Sequence, residues 1–298
     1  MRVDPNTETE TTMSVSADEE ERLANQRAYW LVAALVAAVF GVVGLAATVL
    51  AGLGLWGLGL GLAVAVLLVA LAPGLGERLA LRVVRARPTE QDRDPRLDNL
   101  VAGLCEQAKL PPPRLWVVES EAANAFAVGR GPAQAAIVVT SGLLGRLNRI
   151  ELEAVLAHEL AHIRSLSARL GSMAVILGGL PGLALEARRR GGNPLLGLLG
   201  VALLPLAPLL KLAAPPRREF QADERGAYLT RYPPGLIRAL TKLREDPNAA
   251  QASNLGLNHL WIVAPGPSPG QAAGGLRQQR LFDTHPPLDE RIEALREL

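Results

Sequence analysis

One uninterrupted apolar run constrains the fold of this chain more than any other feature. From Ala28 to Gly76 there are 49 residues without a charged side chain. A single membrane-spanning helix needs about 20 mostly apolar residues, so the run is long enough for two, and the stretch AGLGLWGLG predicts the turn between them. Neither predicted helix has the polar face that a helix of a soluble domain presents to water. The run therefore predicts a transmembrane helical hairpin over residues 29–76, placed in a lipid bilayer.

The arginines around this hairpin predict its orientation. Three arginines precede it, six follow it between residues 78 and 96, and the turn has neither lysine nor arginine. Because cytoplasmic flanks of membrane helices are enriched in these residues, we expect both ends of the hairpin in the cytoplasm. The chain is then a multi-pass protein of the plasma membrane whose remaining domain faces the cytoplasm. Residues 1–28 are polar and acid-rich, which predicts a disordered tail.

The remaining residues, 77–298, predict one domain of mainly α, α+β class. The short runs RLWVVES, AFAVG and AIVVT indicate strands of a small β-sheet, and helical patterns lie on both sides of them. Two further charge-free runs, Leu170–Leu185 and Gly191–Leu210, predict a second hydrophobic hairpin at about residues 170–212. The three arginines between these runs oppose a full crossing, so a spanning and a re-entrant hairpin are both open.

Charge and cysteine content exclude several classes of protein. The formal net charge of +2 provides no basic footprint for nucleic acid. The single cysteine, Cys105, excludes an intrachain disulfide and a metal site built from several thiolates. Any metal bound by this chain must therefore use histidine and carboxylate ligands.

Such ligands occur in the stretch ELEAVLAHELAHIRS. Asn148 and Glu151 form a capping-box pattern that starts a helix near Arg149. On that helix His158 and His162 are four residues apart and share one face. Glu159 is then placed to contact a water on the metal, as in the H-E-x-x-H motif. The pattern predicts two metal ligands and a general base; the alternative is an ordinary helix that carries two histidines.

A catalytic zinc site needs a third protein ligand and leaves one position for water. The other histidines, His259 and His285, are candidates, and so is Glu219 in RREFQADERGA. Glu219 and Asp223 are again four residues apart, so one carboxylate could bind the metal while the other holds a histidine N–H. The alternative is a solvated, charged helix, and spacing alone does not choose between them.

Several motifs together carry a resemblance to a known family. They are NAFAVGR at 124–130, IVVTSGLL at 137–144, AVLAHELAHI at 154–163, EFQAD at 219–223 and THPPLDERI at 284–292. Over roughly residues 95–292 the chain resembles the HtpX-type membrane zinc metalloproteases, relatives of the CAAX prenyl proteases. It departs from the family pattern at Val128, where threonine is typical, and at Ala161, where glycine is commoner. The resemblance implies a zincin-like metalloprotease domain with the second hairpin inserted between the zinc-ligand helices.

The resemblance also implies the roles of individual residues. One Zn²⁺ per chain is expected, with His158, His162 and Glu219 as ligands and Glu159 as the general base. Asp223 is expected to contact His158 behind the metal.

Further roles concern the substrate and the transition state. A substrate peptide is expected to pair with the edge strand in NAFAVG, with contacts at Asn124 and Ala125, since strand addition grips the main chain with little sequence demand. His285 is expected either to stabilise the developing oxyanion or to cap the turn before the last helix. Tyr228 and Tyr232 are weaker candidates for an oxyanion donor, and His259 is expected to be structural.

The function implied is a membrane-anchored, zinc-dependent endopeptidase in membrane-protein quality control, acting on unfolded or membrane-protein substrates. A CAAX-type processing protease and a non-enzymatic metal-binding membrane protein are the alternatives. Polar groups on a transport path should lie within the membrane spans. Here the candidate ligands lie outside the N-terminal apolar run, which counts against transport. The sequence does not indicate the oligomeric state.

Overall fold

The computed structural model describes residues 5–50, 55–89, 94–176, 188, 191, 215–249, 257–264 and 285–298. Its helices are α1 (Pro5–Leu50), α2 (Leu55–Val83), α3 (Pro95–Ala108), α4 (Ser141–Arg146), α5 (Arg149–Arg164), α6 (Ser167–Ala174), α7 (Arg217–Thr230), α8 (Pro233–Arg244) and α9 (Leu288–Arg296). The strands are β1 (Arg87–Pro88), β2 (Arg114–Val118), β3 (Ala125–Gly129) and β4 (Ala135–Thr140), with a 3₁₀ turn at Pro132–Gln134. The prediction of a mainly helical chain with a small sheet is confirmed.

Helices α1 and α2 pack against each other through small residues. A Cβ added at Gly57 would lie 2.9 Å from the carbonyl oxygen of Gly44, so the two backbones are in direct contact there. Further along, the Tyr29 hydroxyl donates to the Val69 carbonyl at 3.0 Å. Close approach over small residues is typical of packed membrane helices. Within the described part of the chain, α2 is the helix that is long and apolar enough to cross a membrane by length and composition.

Helix α1 begins at Pro5, within the segment 1–28 for which the sequence predicts a disordered tail. From Asp18 onward its side chains contact the domain. The Asp18 carboxylate accepts from the Nε atoms of Arg164 at 2.7 Å and Arg225 at 2.6 Å. One turn beyond Glu21, Asn25 donates to the C-cap carbonyl of α5 at 2.8 Å. The charge of Asp18 is therefore neutralised by arginines of α5 and α7, a tertiary contact that composition cannot reveal.

The four strands form one mixed sheet in the order β1-β2-β4-β3. β2 runs parallel to β4, whereas β3 runs antiparallel to β4 and lies at the edge of the sheet. One face of β4 packs through Ile137 and Val139 into the core formed with α3 and α5. The other face packs through Val138 against Phe126 and Trp261. This arrangement places the edge strand β3 beside α5 and α6.

The second hydrophobic hairpin, predicted at about residues 170–212, lies largely outside the described residues. Its first residues continue α6, and the described chain resumes at Pro215, just before α7. Whether the hairpin spans the bilayer or is re-entrant stays a prediction.

Candidate metal centre

Helices α5 and α7 meet backbone to backbone at His158. The contact depends on Gly226 of α7, where an added Cβ would lie 2.9 Å from the backbone nitrogen of His158. Helix α5 starts as predicted, because Asn148 accepts from the Glu151 N–H at 3.0 Å and the Glu151 carboxylate accepts from the Asn148 N–H at 2.9 Å. The close crossing brings the carboxylates of the preceding turns of α7 onto the histidines of α5.

Three side chains converge at this crossing. The Nε2 atoms of His158 and His162 are 3.1 Å apart. The two carboxylate oxygens of Glu219 lie 3.5 Å from Nε2 of His162 and 3.8 Å from Nε2 of His158. Tetrahedral ligands at ordinary zinc distances are about 3.4 Å from each other. The three residues predicted as metal ligands are therefore brought together at a spacing that suits one ion, and among the described residues they form the metal-compatible cluster.

The opposite ring nitrogens of both histidines have partners that assign their tautomers. Nδ1 of His158 lies 2.9 Å from the Asp223 carboxylate, which can only accept. Nδ1 of His162 lies 2.8 Å from Oγ of Ser167, whose hydroxyl donates to the His162 carbonyl and leaves its lone pairs free to accept. A proton on each Nδ1 suits these partners, and it leaves the two Nε2 lone pairs facing each other. That arrangement is unfavourable without a cation between them, and the donor set fits a metal.

Asp223 is itself held by an arginine that the sequence analysis did not single out. Arg291 of α9 is fully buried and binds Asp223 through Nε and a terminal nitrogen, both at 2.7 Å. Its other terminal nitrogen lies 3.2 Å from Glu219. The sequence did contain a sign of this role. Arg291 lies on the apolar face of α9 with Leu288 and Ile292, and a charge on such a face is buried and needs a partner.

Burial and charge set the protonation states that metal binding requires. Burial lowers the pKa of His162 to about 3, so its imidazole is neutral near pH 7. Burial alone would raise the pKa of Glu219, but the charges of His285 and Arg291 outweigh it and hold the pKa well below its usual value. A neutral imidazole and an ionised carboxylate are the forms that bind metal.

Glu159 is placed beside the ligands but is not one of them. Its side chain is buried, and neither carboxylate oxygen has a well-formed hydrogen bond within the described structure. Burial raises its pKa well above the ordinary value, and the nearby charge of Glu219 raises it further. The Arg291 charge and the Ala127 amide lower the pKa without reversing the shift. An unsatisfied buried carboxyl of this kind is well suited to exchange a proton with a bound water.

Among the residues predicted as possible oxyanion donors, His285 lies at the metal centre, whereas Tyr228 and Tyr232 do not. His285 lines the cavity next to the cluster, with Nδ1 3.5 Å from the Glu219 carboxylate. His259 also borders this cavity, but its Nε2 donates to the Gly171 carbonyl at 3.2 Å, a structural contact. Tyr228 and Tyr232 are 64% and 44% exposed and are not part of the cavity wall.

The edge strand β3 borders the metal centre, but its two residues predicted to contact a peptide are covered by another segment of the chain. Asn124 donates to the Val263 carbonyl at 2.8 Å, and the Ala125 carbonyl accepts from the Ile262 N–H at 2.8 Å. The segment 257–264 therefore occupies that part of the edge in this structure, and substrate contacts at Asn124 and Ala125 stay a prediction.

A different residue of β3 faces the cavity. The Asn124 carbonyl pairs with the Thr140 N–H of β4, and backbone groups of an antiparallel strand alternate in direction. The backbone N–H and C=O groups of Ala125, Ala127 and Gly129 therefore point away from β4, towards the free edge of the sheet. The Gly129 N–H donates to Ser172 at 2.8 Å, and Ala127 lies between these two covered positions in the cavity wall.

This chain is similar to several known proteins. Residues 91–298 match the model of peptidase family M48. A protease HtpX homolog of Dictyoglomus thermophilum is 36% identical over 234 residues, which cover 74% of this chain and 75% of that protein. The protease HtpX homolog of Acidiphilium cryptum is 38% identical over 239 residues, or 75% of this chain and 81% of that protein. The crystal structure of S. mikatae Ste24p aligns with a TM-score of 0.44 at 17% identity, covering 92% of this chain and 64% of that one.

Proposed function

Because this chain belongs to peptidase family M48, it is a metalloendopeptidase, and we propose that its catalytic metal is zinc, held by His158, His162 and Glu219. The observation that carries the proposal is the approach of the His158 and His162 Nε2 atoms to 3.1 Å, with the Glu219 carboxylate beside both of them. Two imidazoles and one carboxylate suit zinc, and three protein ligands leave a position for water. Magnesium and calcium favour all-oxygen sites. The alternative of a non-enzymatic metal-binding protein is not retained.

In the proposed mechanism each residue has a defined task. The metal, when bound, acts as a Lewis acid that makes water acidic and polarises a peptide carbonyl. Glu159 accepts the proton of the attacking water at its carboxylate and delivers it to the leaving amine nitrogen. Asp223 and Ser167 hold the Nδ1–H groups of the two histidines, so that both Nε2 atoms keep their direction.

Metal removal is the first test of this proposal. The full chain, purified in detergent, is expected to contain about one zinc per chain by elemental mass spectrometry. A chelator such as 1,10-phenanthroline should abolish cleavage of an unfolded protein such as reduced casein, because the polarising ion is lost. Stoichiometric Zn²⁺ should restore cleavage and Mg²⁺ should not. A protein that cleaves equally well without metal would refute the assignment.

We assign His285 the role of a donor to the developing oxyanion. Both of its ring nitrogens are buried without a hydrogen-bond partner in the described structure, and the ring borders the cavity beside Glu219. His285→Ala is expected to lower kcat about 10²- to 10³-fold, the usual effect of losing one such donor. Zinc content and the KM for casein should change little. An unchanged kcat would leave His285 only a role in the turn before α9.

The substrate is proposed to be an extended segment of an unfolded or membrane protein. Its main chain would pair with β3 at Ala127, which faces the cavity between positions already taken by the segment 257–264 and by Ser172. Main-chain pairing makes few demands on side chains, which suits a role in membrane-protein quality control. Cleavage of a prenylated CAAX peptide in preference to casein would instead favour the processing-protease alternative.

We further propose that α1 and α2 form the transmembrane hairpin over residues 29–76, in the plasma membrane, with the catalytic domain in the cytoplasm. The support is the candidate span in α2 and the arginines that follow it. Alkaline phosphatase inserted between residues 51 and 54 should be active, because it would lie outside the cytoplasm, whereas a C-terminal fusion should be inactive. The reverse pattern would overturn this orientation.

A further inference from the structure

A second cavity lies between α1 and α6, on the side of α6 away from the metal centre. Its volume is about 230 Å³. We call it the α1–α6 cavity; its wall includes Asn25, Tyr29, Trp30, Leu166, Arg169 and Leu170. The wall combines one positive charge, polar groups on one part and apolar side chains on another. Such a composition suits an amphipathic ligand better than water or a purely apolar molecule.

The charge in this wall is uncompensated. The guanidinium of Arg169 is half-buried and lies 4.0 Å from the centre of the Tyr29 ring. Among the described residues no carboxylate is within ion-pair distance of it. On α1, Glu21 is paired with Arg225, and Asp18 is bound by Arg164 and Arg225. The Tyr29 ring offsets part of this charge, and an anionic group in the cavity would form the charge-assisted hydrogen bonds that the ring cannot.

The cavity also lies where the charged part of α1 ends. Arg27 is the last charged residue before the apolar run, and Tyr29 and Trp30 follow it directly. Trp30 is 67% exposed and Leu31 is 63% exposed. Tyrosine and tryptophan at such a boundary are typical of the membrane–water interface. The polar end of the cavity therefore coincides with the headgroup level, and the exposed apolar surface of α1 continues from its other end.

We propose that the α1–α6 cavity binds one anionic phospholipid, with its phosphate on Arg169 and its acyl chains along the exposed side chains of Trp30 and Leu31. Arginine is the preferred partner of phosphate because its planar donors bind two oxygens at once. A zwitterionic lipid carries the same phosphate but no net charge to compensate Arg169, so anionic lipid should bind more tightly. The proposal rests on the membrane placement given above, but it does not depend on protease activity.

The test is lipid binding by the full chain in detergent, followed by native mass spectrometry. The probes are dioleoyl phosphatidylglycerol, dioleoyl phosphatidylcholine and inorganic phosphate. One phosphatidylglycerol per chain is expected to bind saturably, and Arg169→Gln should weaken it about tenfold, the usual effect of losing a charged hydrogen bond. Arg78→Gln is the matched control, since Arg78 is exposed just beyond the other end of the apolar run and lies outside the cavity. The Arg78→Gln variant should bind phosphatidylglycerol with the affinity of the unaltered chain.

Each outcome decides the proposal. Equal binding of the two lipids, or an Arg169→Gln variant with unaltered affinity, would refute it. Inorganic phosphate that competes fully with the lipid would also refute it, because the headgroup anion alone would then be the ligand. Arg169→Lys, which keeps the charge but not the planar fork, should bind with intermediate affinity and exclude misfolding as the cause. An active protease that binds no lipid would disprove this inference and leave the proposed function intact, whereas an inactive chain that binds lipid would do the opposite.

Discussion

Glu159→Gln is expected to lower kcat for peptide cleavage by about 10²- to 10⁴-fold, the usual contribution of a positioned general base. The amide has the size of the carboxylate but cannot accept and return the proton of the attacking water. Neither carboxylate oxygen of Glu159 has a well-formed hydrogen bond in the described structure, and glutamine keeps an oxygen that can face the Ala127 amide, so the replacement should leave the packing intact. The loss should therefore appear in kcat, with the melting temperature nearly unchanged.

The measurement combines casein cleavage with metal analysis on the same protein sample. The variant should retain about one zinc per chain, because the ligand atoms belong to His158, His162 and Glu219. Glu153→Gln provides the matched control, since Glu153 is a partly exposed carboxylate on the same helix away from the cluster. Undiminished cleavage by Glu159→Gln would mean that the proton acceptor is another group.

Arg291→Met is expected to produce the largest loss of stability, on the order of 3–5 kcal/mol. Arg291 is completely buried, and its guanidinium binds Asp223 through two nitrogens while a third lies near Glu219. Methionine fills a similar volume but leaves both carboxylates buried without their counter-charge. Since Asp223 also holds His158, zinc affinity should fall as well, by about 10- to 100-fold.

The loss of stability is measured by denaturant unfolding in detergent, followed by tryptophan fluorescence. The loss of zinc affinity is measured by zinc titration of the apo protein. Arg296→Met on the same helix is the control, because its ion pair with Glu293 is exposed and such pairs contribute at most about 1 kcal/mol. Equal unfolding midpoints for the two variants would show that Arg291 does not stabilise the carboxylate pair.

Local patterns were sufficient for the parts of the site that lie on one helix. The capping box at Asn148 and Glu151 predicted the start of α5, and the spacing of His158 and His162 placed two Nε2 atoms on one face. Both predictions depend only on hydrogen bonds and side-chain positions within about one turn. The apolar run was equally informative, because its length and lack of charge identify α2 as a candidate span without any knowledge of packing.

Predictions that required knowledge of neighbours were less successful. Composition predicted a disordered tail, but Asp18 finds two arginines in the folded domain. The family motif predicted peptide contacts at Asn124 and Ala125, yet the segment 257–264 bonds to both. In both cases a polar group that is available in the linear chain is engaged in this structure by a segment far away in sequence.

The number and type of the metal donors, two imidazoles and a carboxylate with no thiolate, follow from the residues of this chain and from helix geometry. Their assembly follows only from packing. Glu219 is 57 positions beyond His162, and it reaches the histidines because Gly226 lets α7 touch the backbone of α5. Arg291 reaches Asp223 because α9 closes over the same core. Contacts of this kind depend on how closely two backbones can approach, a distance that the side chains of both helices set together in three dimensions.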